Sequence, residues 1–103
     1  GTPQSIRTGD ERPLHATAVG KCLLAFAPVA TPPRRELVLT RYTGRTCVTV
    51  AALEAHLAVA RRRGWAGDSG ECEPGLGGAA AALRGSGGLV AGAIAVVGPV
   101  EEL

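Results

Sequence analysis

A chain of 103 residues with a formal net charge of +2 holds at most one domain and a modest core. Its small, dispersed basic excess does not mark a nucleic-acid binder, no apolar run approaches a membrane span, and no charged-then-apolar signal segment opens it. Hydrophobic residues make up 46% but aromatics only 3%, so the core must be built from Ala, Val and Leu around three large plates, Phe26, Tyr42 and Trp65.

Residues 5–8 alternate weakly and predict a short strand, with Gly9, Asp10 and Glu11 as its turn. Pro13 biases Arg12 away from helical geometry, and Thr17 is a good N-cap whose oxygen can take the amide of Val19 or Gly20. A helix is therefore expected over 17–26, with Val19, Leu23 and Phe26 on one apolar face and Pro28 as its stop. Thr31 followed by Pro32 and Pro33 is a second start signal, predicting a short helix over 34–40. Residues 42–46 form a connecting loop.

A third helix begins at Thr49, carries Leu53, Leu57 and Ala60 on one face, and ends at Gly64. The arginines at 61–63 suit its dipole as a solvated end, and His56 is expected to be exposed and partnerless. After Gly64 the period changes. Residues 65–68 read as a strand, 69–75 as an acidic turn, and 78–83 with 89–97 as a hairpin about the glycine-rich segment 85–88. Alanine-rich strands are poor by propensity, so a helix must pack closely on residues 79–82. Helices followed by antiparallel strands predict an α+β fold.

The candidate chemistries thin out quickly. Gly20-Lys21-Cys22 resembles the end of a phosphate loop, but His15 stands where that loop needs Gly, and no Ser or Thr follows the Lys. Cys22 lies too far inside its helix to be activated by the dipole, and nothing is placed to orient His15 as a base. Cys22, Cys47 and Cys72 are far apart and without a C-x-x-C pair, so they read as reduced thiols of a cytoplasmic protein. Neither a zinc site nor a disulfide framework is signalled. Glu71 and Glu73 read as solvated loop carboxylates. Asp68, a lone acid alternating with apolar strand residues, is a ligand contact or a buried hydrogen-bonder. The start of the helix behind Thr17 is an anion seat in principle, since its first amides and dipole point outward.

Arg12 through Lys21, Arg41 to Thr46, residues 53–64, Trp65, Asp68, Glu73-Pro74-Gly75 and Gly98-Pro99 together resemble the effector-binding domain of IclR-family bacterial transcriptional regulators. The similarity covers nearly the whole chain. It implies a GAF-like α+β domain, an antiparallel sheet with flanking helices, which is incomplete over 1–103. The chain, beginning at Gly1 and lacking Met, is then expected to be a piece of a longer protein. The resemblance places a winged helix-turn-helix upstream, so operator DNA would be bound only through that part, and it implies a homodimer or homotetramer.

By the same resemblance the ligand-binding positions are Thr17, Ala18, Val19, Asp68, Gly78, Ala95 and Val97. Gly78 stands where Cys is frequent, while Ala95 and Val97 stand where hydroxyls hold small oxo-acids. An organic acid larger and greasier than those is the expected effector, a carboxylate at the Thr17 amides. The alternative is a structural, oligomerising module with a degenerate pocket. No catalytic residue, cofactor, metal or membrane partner is expected.

Overall fold

The computed structural model describes residues 13–27 and 31–102; the strand expected over 5–8 and the stop at Pro28 lie outside them. Helix α1 spans Ala18–Phe26, α2 spans Val50–Arg63, and three strands follow: β1 (Ala66–Ser69), β2 (Leu76–Arg84) and β3 (Val90–Pro99). The strands form an antiparallel sheet in the order β1-β2-β3. The expected hairpin therefore gains β1 as a third member. Both helices are capped as their sequences require. Thr17 and Thr49 are extended, and their side chains accept from the amides of Gly20 and Ala52. Gly64 closes α2 in the left-handed conformation, at φ 89° and ψ 4°.

The expected second helix does not form. Residues Arg34–Glu36 make one 3-10 turn without a side-chain cap, and Leu37 is already extended. The reason is tertiary. Leu37 and Leu39 pack against the core while Val38 between them is 80% exposed, an alternation that only extended chain can deliver.

Helix α1 is wedged between the sheet and α2, and its inward face differs from the one its larger residues suggest. Ala18, Gly20, Lys21, Cys22, Leu24 and Ala25 are buried, whereas Val19, Leu23 and Phe26 remain half-buried. Ala18, Gly20, Cys22 and Ala25 lie inside because the backbone comes close to its neighbours there, and Leu24 is the one large apolar side chain of α1 buried with them. A Cβ on Gly20 would sit 2.5 Å from the Leu14 Cα, and one on Gly78 would meet the Ala18 Cβ at 3.5 Å. This close approach is what the alanine-rich strands needed. The core joins Ala18, Cys22, Leu24 and Ala25 to Leu53, Leu57 and Ala60 of α2 and to Ala66 and Ala80 of the sheet.

Arginines finish the end of α1. Arg34 donates to the carbonyl of Leu24 and Arg61 to that of Ala25, satisfying acceptors that the helix leaves open. The triplet at the end of α2 is exposed as expected, but it is not idle: Arg63 donates to the Trp65 carbonyl and lies 3.4 Å over the indole ring.

Candidate functional site

The sheet register brings three of the expected positions together. Asp68 pairs with Gly78 across β1 and β2, and Gly78 pairs with Val97 across β2 and β3. Register partners share a sheet face, and the Gly78 position looks at Ala18, so all three lie on the face that meets the start of α1. Ala95 is opposite Ala80, one inward-facing pair further on. The missing side chain at Gly78 keeps this junction open, since a Cβ there would also meet Val97 Cγ2 at 3.4 Å.

The start of α1 is buried, with Thr17 and Ala18 almost inaccessible. The Thr17 hydroxyl is committed in both directions, accepting from the Gly20 amide at 3.1 Å and donating to the Pro13 carbonyl at 2.9 Å. It fixes the helix entry and has no donor left to offer elsewhere. His15, also buried, bonds through Nε2 to the Thr40 carbonyl at 2.8 Å, an arrangement that ties the α1 entry to residue 40.

A cavity of about 630 Å³ opens beside β1, with Lys21, His56, Trp65, Asp68, Glu71 and Gly78 among its walls. Of the seven expected positions it takes in Asp68 and Gly78; Thr17, Ala18, Val19, Ala95 and Val97 are not among its walls. Asp68 is half-buried, and its carboxylate accepts the Glu71 amide at 2.9 Å, closing the turn after β1.

Glu71 and His56 correct the sequence reading. Glu71 is not a solvated loop carboxylate but 5% exposed, with Oε1 at 2.6 Å from the Lys21 ammonium and Oε2 accepting the Ser69 amide. His56 is about half-exposed but has partners, its Nδ1 lying 3.1 Å from Lys21 Nζ and 3.5 Å from Cys47 Sγ. Burial and then the Lys21 charge hold the imidazole below its ordinary value, while burial and the Glu71 carboxylate push the Cys47 thiol up. Sequence reasoning missed this cluster because its members stand at 21, 47, 56 and 71, with no short spacing to give them away. Lys21, the lone charged residue of α1, was the one available signal.

A GAF-like α+β domain is the class that this sheet and the two helices packed with it define among the described residues. The chain belongs to the IclR family, in the C-terminal part of its regulators: the family described as bacterial transcriptional regulator IclR C-terminal matches residues 3–103. It is 41% identical to the glycerol operon regulatory protein of Streptomyces griseus over 97% of its own length and 39% of that relative's. Among solved structures it is similar to the C-terminal domain of E. coli KdgR, with TM-score 0.77, 29% identity, and coverage of 88% of this chain and 57% of that one. It shares the fold of a double mutant of the Acinetobacter PobR inducer-binding domain, solved with 3-hydroxybenzoic acid, at TM-score 0.74, 21% identity, and 95% and 63% coverage. The matched relatives are transcriptional regulators, not enzymes.

Proposed function

We propose that this chain is the effector-sensing part of an IclR-type regulator of the cytoplasm, which binds a small organic acid and biases an operator-binding domain carried elsewhere in a longer, oligomeric polypeptide. The observation that carries the reading is the register of Asp68, Gly78 and Val97 beneath Ala18, beside a cavity that reaches Asp68 and Gly78. Thr17 holds the helix entry, the amides of Ala18 and Val19 face the carboxylate, Asp68 takes a polar group of the ligand, and Gly78, Ala95 and Val97 form its apolar bed. A ligand that binds one arrangement of the full regulator better than another shifts the population between them, which is all that regulation of DNA binding requires.

The lining carries no side-chain hydroxyl at Gly78, Ala95 or Val97, and this favours an aromatic or longer-chain acid over a small oxo-acid. That PobR, on the same fold, was solved with an aromatic acid agrees with the size of ligand proposed. Thermal-shift and calorimetric screening of the full regulator against benzoates, glyoxylate and pyruvate tests it. Saturable stabilisation by an aromatic acid, lost in Val97→Asp, is expected. Stabilisation by glyoxylate or pyruvate alone would overturn the ligand class, and no response to any acid would leave the scaffold reading.

One observation favours that second reading, an oligomerising module. The outer sheet face carries Ile94 and Val96, 60% and 55% exposed, next to the exposed Leu83. If this alternative holds, Val97→Asp leaves the oligomer intact while Ile94→Asp dissociates it.

A further inference from the structure

We infer that Cys47 Sγ, His56 Nδ1 and Glu71 Oε1 form a binding site for a zinc-type divalent transition metal, with the Lys21 ammonium as its built-in competitor. The three atoms come from three segments, the loop before α2, α2 itself and the turn after β1, and lie within 4.8 Å of one another. Sγ and Nδ1 are 3.5 Å apart, Nδ1 and Oε1 3.7 Å. Tetrahedral zinc, with bonds of about 2.0–2.3 Å, sets its ligand atoms about 3.4–3.6 Å apart, so the Sγ–Nδ1 and Nδ1–Oε1 pairs already stand at near-ligand spacing and only the Sγ–Oε1 pair, within 4.8 Å, has to draw in by up to roughly 1 Å.

The ligands also present the right faces. An ammonium has only hydrogens to donate, so Lys21 at 3.1 Å from His56 Nδ1 requires that nitrogen to offer its lone pair to the cluster centre. Thiolate, imidazole and carboxylate together suit zinc or cobalt rather than magnesium or calcium. Access is open, because His56 is about half-exposed and both His56 and Glu71 border the cavity. Three protein ligands leave a fourth position for water.

Lys21 sets the affinity. Its ammonium sits 2.6 Å from the same Glu71 oxygen, where an incoming cation would go. Metal binding must turn that side chain aside, and the adjoining cavity, which Lys21 itself borders, gives it room. The Cys47 thiol proton leaves to solvent as the sulfur–metal bond forms. The site borders the cavity on which the effector reading draws, but its ligands are none of the effector positions, so metal binding is tested without any organic acid.

Cobalt titration of the full chain, followed by absorption spectroscopy, tests the assignment, with zinc calorimetry alongside. One Co²⁺ per chain with a thiolate-to-cobalt charge-transfer band is expected. The band should vanish in Cys47→Ser, persist in Cys22→Ser, and need roughly tenfold more metal or beyond in His56→Ala. Lys21→Met should bind zinc at least roughly tenfold more tightly, and Lys21→Gln, which can still donate to Glu71, serves if the Met chain does not fold. No band at millimolar cobalt, a band surviving Cys47→Ser, or unchanged affinity in His56→Ala overturns the site. Unchanged zinc affinity without the Lys21 charge overturns the competitor role.

Discussion

The Lys21 ammonium and the Glu71 carboxylate meet at 2.6 Å, with side chains only 3% and 7% exposed, and join the middle of α1 to the turn after β1. A buried pair of this kind contributes little beyond a well-packed apolar pair, but removing one partner strands the other charge. Lys21→Met and Glu71→Ala should each destabilise the chain by about 3–5 kcal/mol, while Lys21→Met with Glu71→Leu should recover most of that loss. Denaturant unfolding of the four proteins measures it, and equal losses in singles and double would contradict a coupled pair.

Gly20 is set against backbone. An added Cβ would lie 2.5 Å from the Leu14 Cα and 2.6 Å from its carbonyl oxygen, neither of which can swing aside. Gly20→Ala should cost on the order of 1–3 kcal/mol or more by overpacking, despite the better helix propensity of Ala. Gly92→Ala, where nothing lies within 4 Å, is the control and should change thermal stability little.

The α1 cap depends on a hydroxyl and not on the shape of threonine. Thr17→Ala loses the bonds to Gly20 and Pro13 and should cost about 1–2 kcal/mol, whereas Thr17→Ser should stay near the parent. The midpoint of chemical denaturation separates these outcomes.

Cys22 is completely buried, and desolvation pushes its thiol up from the ordinary range, with only partial relief from Arg84. It should therefore resist iodoacetamide at neutral pH in the folded chain and react on unfolding. Mass spectrometry of labelled peptides reads this directly, and rapid native labelling of Cys22 would revive a thiol-based chemistry.

Gly78 leaves little room for a side chain in the proposed pocket. Its added Cβ would meet Val96 O at 3.0 Å, Val97 Cγ2 at 3.4 Å and Ala18 Cβ at 3.5 Å. Gly78→Ala should lower the thermal shift produced by an aromatic acid by more than it lowers the ligand-free melting temperature. Equal shifts with and without the substitution would separate the ligand from this junction.

Residues whose signals are local were legible from the chain alone. Thr17, Thr49 and Gly64 set helix ends through bonds to near neighbours, and Leu53, Leu57 and Ala60 fall inside simply by helical spacing. The family resemblance went further, singling out Asp68, Gly78 and Val97, which the register sets side by side. The second helix failed because its start signal acts over one turn, whereas Leu37 and Leu39 answer to the core they cover.

Sequence by itself determined the α+β class, two capped helices and the hairpin, because backbone geometry and hydrophobic period act over a few residues; the family came from the resemblance of its motifs. Only tertiary structure decided that Lys21, Cys47, His56 and Glu71 converge, and that Ala18, Lys21, Cys22, Leu24 and Ala25 rather than Val19, Leu23 and Phe26 turn inward on α1. Both outcomes depend on how near distant backbones approach, and burial of a charge is settled by the partner that arrives from fifty positions away.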